Sequence, residues 1–295
     1  MVVVKLTGGL GNQLFQYAAA RRLSVFHHTI LKLDGTLFEH YRLRKYSLSP
    51  FRILESFATP QEIAEVKGFS KKGVLRIALA FLRNLKRNHR SPIFTEPLVR
   101  PFDPSILKTP KDVYLDGYWQ SEKYFVDIQD IIRREFTIKY AQDPQSQEVA
   151  EHIASTQSVS VHVRRSDYVS DSETNRTHGS CDLDYYKQCV SLITGKITNP
   201  HFFVFSDEPS WTTKNLRLNY PTTFVTHNDS DKAYEDLRLI SMCKHNIVAN
   251  SSFSWWGAWL NPNPDKIVLG PKKWFNDPGP GVDASDIIPP RWIQV

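Results

Sequence analysis

The chain has 295 residues, 41% hydrophobic and 23% charged, a globular composition with room for two packed units; it excludes a coiled coil, a collagen-like repeat or a long disordered tail. The three cysteines, Cys181, Cys189 and Cys243, contain no C-x-x-C pair and indicate neither a disulfide framework nor a structural zinc site. The longest apolar run past the first residues, Ile77-Ala78-Leu79-Ala80-Phe81-Leu82, falls far short of the ~20 residues that cross a bilayer.

The chain opens directly on a β-branched strand at 2–6 without the regions of a secretory signal, so a cytoplasmic location is expected. A glycine-rich turn, a helix at 13–25 and a strand at 29–33 ending at Asp34 follow. After a short helix near 61–66 comes the source of the +6 net charge. Between Val66 and Thr95 there are eight Lys or Arg and no Asp or Glu, which leaves 29 basic against 31 acidic residues elsewhere. Apolar residues recur there at helical spacing, so the segment reads either as an amphipathic basic helix for anionic membrane or as a solvated helix face. Few aromatics, Phe81 among them, lie inside the run as stacking platforms, and nucleic-acid binding is not expected. A strand at 113–116 and a helix over 121–135 complete the first half.

The second half predicts strands at 158–163, 201–206, 223–227, 246–250 and 266–270, with helices at 184–192, 231–243 and 254–260 between them. This rhythm belongs to an α/β protein with parallel sheets. The polar residues 141–147 mark a boundary, giving domains 1–145 and 146–295, with the last residues packing back on the first. Two Rossmann-like units facing across a cleft is the expected architecture.

Four strings carry chemistry. Gly8-Gly9-Leu10-Gly11-Asn12-Gln13 joins a strand to a helix and presents helix-start amides to an anion or a polarised hydroxyl, unless it is only a packing turn. It lacks the Lys-Ser/Thr of a P-loop. In His162-Val163-Arg164-Arg165 at a strand end, His162 and Arg164 share one side; Arg164 suits bidentate contact with a diphosphate, while surface ion bridges are the bland alternative. Ser206-Asp207 ends a strand as site residues or as a helix cap. Glu235-Asp236 precedes Asn250-Ser251-Ser252-Phe253, where hydroxyls and helix amides suit a phosphate; the tryptophans that follow read as core.

The strings GGLGNQLFQYAAA, DGYWQSEKYF, HVRRSDYVS, HGSCDLDYY, FVFSDEPSW and NSSFSWWGAWL resemble bacterial alpha-1,2-fucosyltransferases over nearly the whole chain, least over 67–95. The resemblance implies a GT-B fold and inverting transfer of L-fucose from GDP-fucose to the 2-hydroxyl of a β-galactoside, without a metal or other cofactor. It casts Arg164 on the β-phosphate, His162 beside the guanine, Asp236 on the guanine edge, Ser252 on phosphate, and Gly11 and Asn12 near the reacting sugar. Arg164 and Asn12 are thus the expected catalytic residues. Ser206, Asp207, Asn228, Glu235, Ser251 and Phe253 complete the expected donor set. Candidates for the general base are Asp34, Glu173 and His178. Asp182-Leu183-Asp184 spells the DxD of metal-dependent glycosyltransferases but stands where a helix N-cap belongs. A lectin using the seven Trp and twelve Tyr as platforms is a further alternative, though it would need no phosphate-shaped arginine. Nothing in the sequence marks the oligomeric state.

Overall fold

The computed structural model describes residues 1–40, 44–68, 92–165, 176–177, 179–277 and 279–295. The basic segment from 69 onward therefore lies outside the described residues, as do Glu173 and His178. The chain divides into two units, Met1–Thr137 with Gly281–Ile287 and Ile138–Pro280 with Ile288–Val295.

The first unit holds four parallel strands, β1 (Val2–Lys5), β2 (Leu31–Asp34), β3 (Ile93–Thr95) and β4 (Val113–Asp116), in the order β2-β1-β4-β3. β1 is a buried valine run, as central parallel strands are. Helix α1 (Leu10–Phe26) is buried along most of its length, Gln13 and Gln16 included. α2 (Pro60–Val66) starts on a capping box of Thr59 and Glu62 with Pro60 in the first turn. Where one helix is predicted over 121–135, two 3-10 turns precede α3 (Gln129–Glu135). β3 has three residues, too few for a periodicity to show.

The second unit has six parallel strands, β5 (Gln157–Val163), β6 (Pro200–Ser206), β7 (Thr222–Val225), β8 (His245–Ile247), β9 (Val268–Gly270) and β10 (Ile293–Gln294), in the order β10-β9-β8-β5-β6-β7. Its helices are α4 (Pro144–Ser155), α5 (Leu183–Thr194), α6 (Pro209–Asn215), α7 (Ala233–Met242) and α8 (Ser252–Leu260). Of residues 141–147, read as an interruption, 141–143 have no regular structure and 144–147 open α4: Asp143 accepts the Ser146 N–H at 2.9 Å and Pro144 occupies the first turn. Of the final residues, Gly281–Ile287 belong to the first unit and Ile288–Val295 to the second. β10 pairs with β9, and Val295 N–H donates to Gly270 O at 2.9 Å, because the sheet edge offers the chain end backbone partners. β8 stops at Ile247, three residues short of the expected end, because the backbone turns at Ala249–Ser251 to open α8. Trp255, Trp256 and Trp259 are fully buried core. α7 meets α8 at Gly257, where any Cβ would collide with Ile240.

Candidate active site

In a parallel sheet, ligands gather at the carboxyl ends of the strands where the strand order reverses. In the second unit the chain runs outward from β5 through β6 to β7 and then places β8 on the other side of β5. The reversal therefore lies between β5 and β8. Strand β5 carries His162, ends at Val163 and runs on to Arg164, and β8 runs on to Ser251 and Ser252.

The two strand ends meet. The His162 and Phe253 rings lie 5.2 Å apart. His162 is buried and its Nδ1 has no partner among the described residues. Burial lowers its pKa to about 4 against the pull of Asp207, with Arg164 adding to the fall, so the ring is neutral at pH 7. The Arg164 guanidinium sits 3.0 Å from Asp207 Oδ2, while Asp207 Oδ1 accepts the Arg165 N–H at 2.9 Å. Arg165 itself stacks 3.4 Å over the Trp211 ring and approaches Glu208 at 3.4 Å. Asp207 thus orients Arg164, and Arg165 serves as a strut. From α5, the Tyr185 hydroxyl donates to Val248 O at 2.6 Å and the Tyr186 hydroxyl to His162 O at 3.1 Å, pinning both strand ends.

Ser206 turns inward to helix work: its Oγ accepts from Glu208 N–H at 3.0 Å and from the Thr212 hydroxyl at 2.9 Å. Asp236 is partly buried in the first turn of α7 and accepts from Asn228 Nδ2 at 2.8 Å. Burial raises its pKa to about 7 against that hydrogen bond, and Glu235 adds to the rise. Asn228 Oδ1 and Glu235 Oε2 are buried without a partner among the described residues. Ser251 is the N-cap of α8, yet its side chain accepts nothing from the helix. Asp182 caps α5 through the Tyr185 N–H at 2.7 Å, and Asp184 pairs with Lys187 at 2.8 Å, so both carboxylates of the DxD string serve that helix.

In the first unit the strand order reverses between β1 and β4. The loop after β1 carries Gly8 at φ +74°, and Gln120 after β4 donates to Asn12 Oδ1 at 2.8 Å. Gln13 bonds Gly8 O and Lys45 O, each at 2.9 Å, and Gln16 takes the Thr7 N–H at 2.9 Å. Gly11 is buried at the start of α1. Asp34 is otherwise occupied: it accepts from the Tyr114 hydroxyl and the Thr36 hydroxyl, both at 2.6 Å. Burial pushes its pKa up, but the bonds from Thr36 and Tyr114, with Lys67, outweigh it, so the carboxyl lies below the ordinary range. A carboxylate so held is a weak base, and the sequence signal for this role is not matched by its surroundings. Gln120, Tyr185 and Tyr186 escape the sequence reading; the nearest signal is Gln13 and Gln16 on the buried α1, where amides need defined partners.

The profile of glycosyl transferase family 11 matches residues 1–295. The chain belongs to this family. It is 32% identical over 304 residues to the alpha-1,2-colitosyltransferase of Escherichia coli, covering 100% of this chain and 99% of that one. The human galactoside alpha-(1,2)-fucosyltransferase 1 is 26% identical over 154 residues, 50% of this chain and 42% of the human one. Among solved structures, a mutant of Arabidopsis thaliana FUT1 in complex with GDP superposes with a TM-score of 0.51 at 12% identity, covering 92% of this chain and 71% of that chain. That is a likeness of fold, and the two α/β units of this family 11 glycosyltransferase are of the GT-B kind. No helix among its described residues is long and apolar enough to cross a membrane.

Proposed function

We propose that this family 11 glycosyltransferase moves L-fucose from GDP-fucose to the 2-hydroxyl of a β-galactoside, inverting the anomeric carbon and using no metal. The observation that carries the reading is the Arg164 guanidinium, held by Asp207 at the reversal point beside the opening of α8. When the sugar departs, negative charge grows on the GDP β-phosphate; a fixed guanidinium and helix-start amides oppose it where other enzymes use a divalent ion. Neutral His162, Asn228 Oδ1 and Glu235 Oε2 present polar atoms that a guanine or ribose would satisfy. Asp236 reads the guanine N1–H and amino group. Asn12, its Oδ1 accepting from Gln120, acts on the reacting sugar. With Asp34 tied up, the base falls to Glu173 or His178.

A second donor has a specific observation behind it, the 32% identity to an alpha-1,2-colitosyltransferase over the whole chain. Colitose is fucose without its 3-hydroxyl, and the phosphate chemistry above serves either sugar. The deciding experiment offers GDP-fucose and GDP-colitose separately to lacto-type acceptors, with and without EDTA. Chelator-resistant transfer from GDP-fucose to O2 of galactose is expected. Transfer from GDP-colitose alone would reassign the donor, and loss of all transfer in EDTA would overturn the metal-free chemistry.

A further inference from the structure

A buried carboxyl in the first unit lies outside every role above and holds a strained turn. Trp119, just after β4, has φ +55°, a left-handed conformation that bulky side chains rarely take. It is fully buried, with Phe94 at 5.7 Å and Tyr124 at 5.6 Å between ring centroids. Glu96 follows β3 and is only 6% exposed. Its Oε2 accepts the Trp119 N–H at 2.7 Å and the Tyr118 N–H at 3.1 Å, and its own N–H donates to Asp116 O at 2.9 Å. Gly117 permits the approach, since a Cβ there would lie 2.6 Å from Glu96 Cβ. Gln120, which follows Trp119, donates to Asn12 Oδ1 at 2.8 Å.

We propose that Glu96, as a carboxylate, is a positioning residue for the transfer reaction: it holds the 117–120 turn in its strained form, and through Gln120 it sets the Asn12 side chain. The inference rests on the role given to Asn12 above. The surroundings of Glu96 suit an acceptor-only group. The Tyr124 hydroxyl donates to Oε1 at 3.4 Å while itself accepting the Asp103 N–H at 3.2 Å. Arg100 adds a favourable charge, and Asp103 acts electrostatically on Tyr124. Burial nevertheless raises the carboxyl to about 7 against the bonds from Trp119, Tyr118 and Tyr124 and the charge of Arg100. Below that pH the group carries a proton that faces the Tyr124 hydroxyl, and the bonds from the two amides lose their charge assistance. The turn is therefore held most firmly on the alkaline side.

The test compares wild type, Glu96→Gln, Asn12→Ala and the double variant from about pH 5.5 to 9, measuring kcat with the turned-over donor, GDP binding by calorimetry, and tryptophan fluorescence. Glu96→Gln keeps the shape of the neutral acid. It is expected to lose about tenfold in kcat on the alkaline side, to keep GDP affinity, and to lose the acid limb near pH 7 that wild type shows. The double variant is expected to be no slower than Asn12→Ala. An unchanged rate and pH profile in Glu96→Gln, losses that multiply in the double variant, or a parallel fall in GDP affinity would each overturn the inference. Should Glu96→Gln fail to fold, Gln120→Leu breaks only the last link and is expected to show the same kcat loss; wild-type turnover in it overturns the inference equally. A fast Asn12→Ala removes the role proposed for Asn12 and this inference with it, whereas a slow Asn12→Ala beside a fast Glu96→Gln removes this inference alone. If neither GDP-sugar is turned over, the proposed function fails. Fluorescence then decides whether the latch exists: a transition near pH 7 in wild type, absent from Glu96→Gln, upholds it, and its absence from wild type refutes it.

Discussion

Replacing Asp236 by Asn tests the guanine role and the energetics of burial together. The native carboxyl keeps its proton up to about pH 7, whereas an ordinary aspartate releases it near 3.8. In the unfolded chain the proton leaves first, so the native state binds more protons between these values and stability falls as pH rises through the window. At about 1.4 kcal/mol per pH unit the interval corresponds to an upper bound of ~4 kcal/mol, and the remaining solvent access of the side chain brings this nearer ~2 kcal/mol. Asp236→Asn has no such proton and still accepts from Asn228. It is expected to match wild type near pH 4 and to exceed it by ~2 kcal/mol at pH 8, a rise of about 5 °C in the melting temperature of the second unit. Glu235 stays in both proteins, so the difference between the two curves isolates Asp236. The variant has one guanine acceptor fewer and is expected to bind GDP at least tenfold more weakly, by about 1.5 kcal/mol or more, with ADP binding unchanged. Thermal unfolding at stepped pH and calorimetry with both nucleotides measure these quantities. Parallel stability curves would refute the burial argument, and equal losses for GDP and ADP would refute the guanine contact.

Arg164→Lys keeps the charge but loses the planar fork, and its kcat is expected to fall by about 2–4 kcal/mol in the barrier; activity within about threefold of wild type would remove Arg164 from the reaction. Asp34→Asn is expected to retain most turnover while lowering thermal stability, because Tyr114 and Thr36 lose a charged acceptor; a near-complete loss of kcat with an intact fold would restore Asp34 as the base. Gly257→Ala forces a methyl against Ile240 and is expected to destabilise the second unit by about 1–3 kcal/mol in denaturant titrations, with a null effect showing that α7 and α8 yield there. If the basic segment docks on anionic membrane, wild type is expected to bind acidic liposomes in a salt-sensitive way, and changing Lys71, Lys72, Lys86 and Arg87 to Gln to abolish that binding while sparing turnover of a soluble acceptor; a loss of that turnover would place the segment with the substrate instead, and no change in either would leave it a solvated face.

Alternating apolar runs and helical stretches made the α/β class and most strands of both sheets readable from residues alone, since a buried parallel strand must be an apolar run and a helix must show its period. The strings around His162, Arg164, Asn12 and Ser252 were equally visible, because strand ends and helix starts carry their own local signals. Tertiary structure decided what those residues are free to do. The partners of Asp34 and Ser206 are invisible in one dimension: Tyr114 lies 80 residues from Asp34, and Thr212 closes on Ser206 only once α6 has formed. Asp143 and Pro144 turned a polar interruption into a helix start, which composition alone reads as a loop. Glu96 shows the limit most plainly: nothing about a lone glutamate after a three-residue strand marks it. Only the approach of β3 to β4 buries it against the amides of Tyr118 and Trp119, and burial among donors comes from pairing distant segments, which no local pattern encodes.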